Sequence, residues 1–181
     1  MNMTELKSTV LGGGCFWCLE AVYQRMNGVV SVESGYMGGA VNSPSYEQVC
    51  GGQTGHAEVV KVTYDPSVVS FLELLAVFFV IHDPTTPNRQ GNDVGTQYRS
   101  AIFYADEEQK REAEGAIAEL TEQKAFKTPI VTQVVPQSTF FKAEGYHQNY
   151  FNNNAYQPYC QFVVWPKVEK FQKYFAEKAK A

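Results

Sequence analysis

The chain has 181 residues, with 15 Lys and Arg against 19 Asp and Glu, and 44% of its residues are hydrophobic. This length predicts one compact domain, which buries enough surface to be stable without disulfides or a structural metal. The formal charge of −4 provides no basic surface for nucleic acid or anionic lipid, so we expect neither nucleic acid nor a membrane as a partner.

Hydrophobic periodicity and turn residues predict the elements of the first half of the chain. Strict alternation marks a strand that Asp65 and Pro66 end, and Ser70 with Glu73 forms a capping box. Gly, Pro and Asn are too frequent over 35–46 for regular structure. In chain order, the predicted elements are a strand over 8–11, a three-glycine turn, a helix over 16–26, a surface loop over 35–46, a strand over 57–64 and a helix over 70–81.

The second half begins with a run of turn-forming residues over 84–97, and a loop of this length in a compact domain is typically functional. The further predicted elements are a strand over 100–104, a helix that Asp106 caps and that ends near 124, a strand over 130–135, a short helix over 143–151 and an amphipathic helix from Lys167. Because helices and strands mix without regular βαβ alternation, the predicted class is α+β, a layered sandwich.

The location of the protein is predicted from its apolar segments. The first fifteen residues lack the basic start, apolar run and cleavage site of a secretory signal. The longest apolar stretch, 71–81, is interrupted by Glu73 and is shorter than the roughly 20 residues of a membrane helix. We therefore expect a cytoplasmic protein whose cysteines are reduced and available for catalysis or metal binding.

Cys15 is the first candidate for chemistry. Three glycines, Gly12 to Gly14, deliver it between a strand end and a helix start. Free N–H groups and the positive end of the helix dipole favour a thiolate there, so the sequence predicts a Cys15 pKa lowered from about 8.5 towards neutral. Cys15 is therefore a candidate nucleophile.

Cys18 completes a CxxC motif with Cys15, which is compatible with a thioredoxin-like dithiol pair or with half of a zinc site. No second CxxC, CxxH or HxxxH pair completes a tetrahedral set, so zinc is the weaker interpretation. A protease-like pairing of Cys15 with His147 is a further possibility, but the distance between these residues cannot be deduced from sequence.

Glu58 and the tyrosines are the other candidates. Glu58 shares a strand face with Val60 and Val62, and burial there would raise its pKa so that it could donate a proton near neutral pH. A solvent-reaching glutamate at the strand end is an equal alternative. Several tyrosines lie in predicted loops, where a phenol can donate a hydrogen bond to a substrate oxygen: Tyr36, Tyr46 and Tyr98.

Long motifs in register resemble the A-type peptide methionine sulfoxide reductase family (MsrA). They are GCFWC over 14–18, GYMGG over 35–39, TGHAEVV over 54–60, QGNDVGTQYRS over 90–100 and HQNY over 147–150. The resemblance runs from about Ser8 to Cys160. It implies one catalytic domain over 1–181, with residues 152–181 as a C-terminal extension, and an α+β two-layer sandwich related to ferredoxin-like topology, with a mixed sheet packed by helices.

The same resemblance assigns roles to individual residues. The substrate would be the S epimer of methionine sulfoxide, free or in proteins. The resemblance makes Cys15 the attacking cysteine, Phe16 and Trp17 the aromatic residues that receive the S-methyl group, Glu58 the acid that protonates the sulfoxide oxygen, Tyr46 and Tyr98 the phenols that hydrogen-bond this oxygen, and Asp93 a residue that holds the substrate main chain or organises the site.

The resemblance also implies how the enzyme is recycled. Oxygen transfer leaves a sulfenic acid on Cys15, and a second thiol converts it to a disulfide that thioredoxin, or dithiothreitol, then reduces. The expected resolving thiol is Cys160, which follows HQNY on an arm that we expect to be mobile, with Cys18 as the alternative; Cys50 matches a cysteine without a required role. We expect no bound cofactor or metal and a monomer. A thioredoxin-like dithiol oxidoreductase and a zinc-binding interaction module are the alternative functions.

Overall fold

The structure, a computed structural model, describes residues 5–180. Its strands are β1 (Lys7–Gly12), β2 (Val29–Met37), β3 (Ala57–Tyr64), β4 (Arg89–Gln90), β5 (Asp93–Val94), β6 (Ala101–Tyr104), β7 (Gln133–Pro136) and β8 (Phe141–Lys142). Its α-helices are α1 (Phe16–Tyr23), α2 (Tyr46–Cys50), α3 (Phe71–Ile81), α4 (Glu107–Glu122), α5 (Tyr150–Asn153) and α6 (Trp165–Tyr174).

Six strands form one mixed sheet in the order β7-β6-β1-β3-β2-β8, and β4 pairs with β5 in a separate hairpin. Every described pair in the large sheet is antiparallel except β6 with β7. The alternating segment 57–64 is the central strand β3, with β1 on one side and β2 on the other. Both faces of its first half are buried, so Glu58 lies inside the protein.

Helix α1 packs on β2 and β3, helix α6 packs on α1 and α3, and helix α4 packs on α3 and on β6 and β7. Their shared core contains large side chains such as Phe16, Phe78 and Phe171. The opposite face of the sheet carries a smaller cluster around Val59 and Phe103. The predicted α+β class, with a mixed sheet packed by helices, is therefore confirmed.

Local capping signals located the helices α3 and α4 correctly. Ser70 accepts the N–H of Glu73, and Asp106 accepts the N–H of Gln109, so each side chain satisfies one otherwise free donor at a helix start. The predicted loop over 84–97 is confirmed as a segment whose only regular structure is the hairpin of β4 and β5, followed by a 3₁₀ turn over Thr96–Tyr98.

The loop predicted over 35–46 is wrong at its start. Gly35, Tyr36 and Met37 are the last residues of β2, because β3 and β8 pair with this strand on its two sides. Glycine is required there by a close approach: a Cβ atom on Gly35 would lie 2.6 Å from the Phe141 carbonyl oxygen. The GYMGG pattern thus reflects tight strand packing as well as a turn.

The C-terminal third differs from the prediction in two places. The helix expected over 143–151 is instead a 3₁₀ turn over Gly145–His147 and the short helix α5, separated by Asn149 in a left-handed conformation with φ 57°. The last helix begins earlier than Lys167, because a π-helical turn over Cys160–Val164 runs directly into α6. Within residues 5–180, no helix is long and apolar enough to cross a membrane.

Candidate active site

The glycine turn places Cys15 at the N-cap of α1. Gly14 has φ +88°, a conformation that favours glycine, and its N–H donates to the Tyr98 carbonyl at 3.1 Å. A Cβ atom on Gly13 or Gly14 would lie 2.9 Å from His82 or Gln90. The glycine turn therefore packs directly against the buried side chains of His82 and Gln90, and this close packing fixes the position of Cys15.

The predicted lowering of the Cys15 pKa is wrong for this structure. Burial, and then the nearby charges of Glu58 and Cys18, raise the Cys15 pKa well above its ordinary value. The Trp17 backbone N–H favours the thiolate but does not reverse this effect. The start of α1 is buried, so Cys15 is a protonated thiol near neutral pH.

The Glu58 carboxyl group lies in the same buried volume. Its Oε1 accepts the Phe16 backbone N–H at 3.1 Å, whereas its buried Oε2 has no hydrogen-bond partner within residues 5–180. Burial raises the Glu58 pKa to about 8, and the Phe16 N–H offsets this only in part. Near pH 7 the carboxyl group is therefore mostly protonated. Since Oε1 acts as an acceptor, the proton belongs on Oε2.

Two phenols adjoin this acid. Tyr46 begins α2 and lies over Phe16, with ring centroids 6.3 Å apart, and Tyr98 ends the 3₁₀ turn after β5. Burial and then the charge of Glu58 raise the pKa of both phenols, so both stay protonated as donors. Tyr36 differs because its hydroxyl donates to the Glu144 carboxylate at 2.9 Å, whereas the Tyr46 hydroxyl lies beside the exposed Cys50 thiol.

Phe16 and Trp17 form the aromatic wall, and the segment after β8 holds it in place. The Trp17 indole N–H donates to His147 Nδ1 at 3.0 Å, and its ring stacks on Tyr150 with centroids 3.7 Å apart and an interplanar angle of 7°. The lone pair of His147 Nδ1 is thus engaged by Trp17. The structure therefore assigns His147 to the wall and gives no support to a Cys15–His147 pair.

Asp93 reaches the pocket from the hairpin of β4 and β5. Its Oδ2 accepts the Tyr159 hydroxyl at 2.6 Å, and Tyr159 packs edge-on against Trp17. The charge of Asp93 also contributes to the raised pKa of Glu58. Asp93 therefore borders the pocket and orients one of its aromatic side chains.

All four cysteines are free, and they occupy different environments. Cys18 is the third residue of α1 and is buried, and this burial raises its pKa to about 12. Cys160 is also buried, inside the π-helical turn rather than on the loop that the sequence suggests. Cys50 is exposed at the end of α2. In the part of the chain that the structure describes, no three His, Cys, Asp or Glu side chains are grouped to hold a metal ion.

Sequence reasoning selected Cys15, Glu58, Tyr46, Tyr98, Phe16, Trp17 and Asp93, and the structure groups these residues around the Cys15 thiol. It did not assign the supporting residues Glu144, His147, Tyr150 and Tyr159. The HQNY motif was a signal for two of these, but nothing in the sequence indicated what they contact. The pocket offers a thiol, a protonated acid, two phenol donors and an aromatic wall. This combination suits a small polar oxygen attached to an apolar group.

Comparison with known proteins agrees with this chemistry. Residues 7–179 match the family model described as peptide methionine sulfoxide reductase. The chain is 53% identical over 176 residues to peptide methionine sulfoxide reductase MsrA of Trichodesmium erythraeum, covering 97% of this chain and 99% of the relative. Reduced Mxr1 from Saccharomyces cerevisiae has a TM-score of 0.81 at 38% identity, covering 88% of this chain and 91% of that one. Mxr1 in complex with Trx2 has a TM-score of 0.58 at 27% identity, covering 82% and 87%.

Proposed function

The chain belongs to the peptide methionine sulfoxide reductase family, and we propose that the pocket around Cys15 and Glu58 carries out the reduction of methionine sulfoxide that defines the family. The observation that carries this assignment is the buried Glu58 carboxyl group beside the Cys15 thiol: its Oε2 has no hydrogen-bond partner among the described residues, and its raised pKa favours the protonated form near pH 7. A sulfoxide sulfur is a poor electrophile until its oxygen is protonated. The pocket supplies both the acid and the nucleophile.

The oxygen transfer balances within these two groups. Glu58 Oε2–H protonates the sulfoxide oxygen, the Cys15 sulfur attacks, and the thiol proton passes to the Glu58 carboxylate. In net terms, the S–O bond of the substrate breaks with its electron pair left on the substrate sulfur, and a new S–O bond forms from an electron pair of the Cys15 sulfur, which yields methionine and a Cys15 sulfenic acid.

Substrate orientation follows from the surrounding side chains. The S-methyl group would contact Phe16 and Trp17, and the hydroxyls of Tyr46 and Tyr98 would donate to the sulfoxide oxygen. A fixed oxygen position and a fixed methyl position leave one direction for the rest of the substrate, towards Asp93. This three-point arrangement supports selectivity for one sulfur epimer, which we assign as S.

A steady-state assay with dithiothreitol tests the function. The separated S and R epimers of a blocked methionine sulfoxide are each incubated with the protein, and methionine release is measured. We expect turnover of the S epimer only. Disulfide reduction without any sulfoxide reduction would instead indicate the thioredoxin-like dithiol oxidoreductase that the CxxC motif allows.

The sulfenic acid on Cys15 requires a second thiol, and the reduced structure favours Cys18 over Cys160 for the first disulfide. Cys15 is the N-cap and Cys18 the third residue of α1, positions whose side chains lie close together at any helix start. The Tyr159 hydroxyl oxygen also lies beside both thiols. Cys160 would first have to leave a buried helical turn.

The matched variants Cys18→Ser and Cys160→Ser test this assignment. We expect both to release about one methionine per chain without reductant, since neither residue takes part in oxygen transfer. Only Cys18→Ser should then accumulate sulfenic acid and lose thioredoxin-dependent turnover. Mass mapping of the disulfide after one turnover checks the result. A Cys15–Cys160 bridge, with turnover lost only in Cys160→Ser, would return the resolving role to Cys160.

Thioredoxin is the proposed reductant of the resulting disulfide. The complex of the similar protein Mxr1 with Trx2 supports this choice, because the two folds superpose over most of both chains. Dithiol exchange needs no metal or organic cofactor from this chain. The monomeric state and the cytoplasmic location stay predictions.

A further inference from the structure

Glu144 joins two aromatic residues of the pocket to the segment after β8, and the reaction scheme leaves it without a role. Its Oε1 accepts the Tyr36 hydroxyl at 2.9 Å, and its Oε2 accepts the Tyr46 backbone N–H at 2.9 Å. Tyr46 and Glu144 are 98 residues apart in sequence. Each oxygen of one carboxylate thus fixes a different part of the pocket wall.

The bond to Tyr46 completes the start of α2. Ser45 and Gln48 form a reciprocal capping box, in which Gln48 N–H donates to Ser45 Oγ at 3.2 Å and Ser45 N–H donates to Gln48 Oε1 at 2.8 Å. The N–H of the first helical residue, Tyr46, has no partner inside its own helix. Glu144 supplies that partner, so the backbone from which the Tyr46 phenol projects is held from outside the helix.

The charge of Glu144 suits this task. Partial burial opposes its ionisation, but hydrogen bonds from the Tyr46 N–H and the Tyr36 hydroxyl outweigh burial and lower the Glu144 pKa. An ionised carboxylate makes hydrogen bonds roughly twice as strong as a neutral acceptor does. A short helix of five residues gains stability from such a contact because its own hydrogen bonds are few.

The second contact of Glu144 acts on another ring that packs against Phe16. Tyr36 packs against Phe16 with ring centroids 5.7 Å apart, and Tyr46 lies over Phe16 from α2. Glu144 therefore sets the separation of the two tyrosines around Phe16. A shift of either would move the Tyr46 hydroxyl relative to Glu58, and misplacement by about 1 Å can cost two orders of magnitude in rate.

We propose that Glu144 is a positioning residue that aims the Tyr46 hydroxyl at the sulfoxide oxygen by holding the Tyr46 backbone and the Tyr36 phenol. This inference rests on the proposed role of Tyr46 in oxygen binding. Glu144 does not touch the substrate, and it acts on the reaction only through Tyr46. The matching contact on the other wall is the His147 bond to Trp17, so one short segment positions both sides of the pocket.

A double-mutant cycle between Tyr46→Phe and Glu144→Gln tests the proposal. Glutamine keeps the shape and one acceptor of glutamate but cannot accept both hydrogen bonds as an anion. In the wild-type background we expect Tyr46→Phe to lower kcat/KM about tenfold. In the Glu144→Gln background the same change should lower kcat/KM by no more than about twofold, because the Tyr46 hydroxyl is already displaced from its position. The loss in Glu144→Gln should appear mainly in kcat.

Glu47→Gln is the matched control, because Glu47 is an exposed carboxylate on α2 beside Tyr46 and has no hydrogen bond to the pocket among the described residues. It should leave kcat/KM and the cost of Tyr46→Phe within about twofold of the wild type. The Tyr46 amide proton resonance gives an independent readout, since loss of a carboxylate acceptor shifts it upfield in Glu144→Gln only.

The outcomes separate this proposal from the proposed function. An equal cost of Tyr46→Phe in both backgrounds, or an unchanged Tyr46 amide resonance in folded Glu144→Gln, would overturn the role of Glu144 and leave the function intact. Full activity of Tyr46→Phe in the wild-type background would overturn the role of Tyr46 in oxygen binding and this proposal with it. A much smaller effect of Tyr46→Phe on kcat/KM in the Glu144→Gln background, together with a shifted Tyr46 amide resonance, supports the proposal.

Discussion

Replacing Cys15 with serine is expected to abolish methionine sulfoxide reduction, with a fall in kcat/KM of about four orders of magnitude or more. A serine hydroxyl in the same buried position has no accessible anion, because its pKa lies far above that of a thiol. It also cannot form a stable bond to the transferred oxygen. No other thiol replaces it, since Cys18 is one helical turn away and Cys160 lies inside a helix. The measurement is methionine release from a blocked S sulfoxide with excess dithiothreitol.

Cys50→Ser is the control for Cys15→Ser, because Cys50 is exposed at the end of α2, forms no bond in the reaction, and as serine keeps a polar atom beside the Tyr46 hydroxyl. It should keep turnover within about threefold of the wild type. Thermal unfolding of both variants excludes a simple loss of folding. Turnover in Cys15→Ser above about one per cent of the wild-type value would remove Cys15 from the mechanism.

Glu58→Gln is expected to lower kcat/KM by about two to three orders of magnitude, the typical contribution of a general acid. Glutamine can still accept the Phe16 N–H through Oε1, so the turn before α1 keeps its anchor. At the other position it places an amide, which donates a hydrogen bond but no proton. The loss should therefore appear in kcat with a small change in KM, measured with the S epimer under saturating dithiothreitol.

The pH profile makes the Glu58 prediction sharper. Because activity needs protonated Glu58, wild-type kcat/KM should be flat below pH 7 and fall as pH rises through about 8. The alkaline limb at about 8 should be absent in Glu58→Gln. Wild-type activity that rises through pH 8 would show that thiol ionisation, and not the acid, limits the reaction.

Local sequence patterns correctly predicted the helices and strands that are determined by residues a few positions apart. The alternation of 57–64 gave β3, and the caps Ser70 and Asp106 gave α3 and α4, because capping and periodicity involve residues a few positions apart. The motif resemblance selected residues that the structure groups around Cys15. These predictions needed no information about long-range packing.

The errors and omissions have long-range causes. The end of β2 was predicted as loop because its pairing with β3 and β8 is invisible in a glycine-rich segment. The Cys15 pKa was predicted to be lowered because the sequence indicates a helix start but not the burial around it. The contacts of Glu144 with Tyr46 and of His147 with Trp17 join residues 98 and 130 positions apart, and no local pattern encodes either pairing.

The most direct test of the account is a single turnover on a pre-reduced variant in which Cys18, Cys50 and Cys160 are serine, with Cys15 as its only cysteine. The S and R epimers are supplied separately without reductant, methionine is quantified, and the sulfenic acid is trapped with dimedone and mapped by mass spectrometry. We predict about one methionine per chain from the S epimer, none from the R epimer, and the adduct on Cys15. Methionine release without an adduct on Cys15, or equal release from both epimers, would contradict the account.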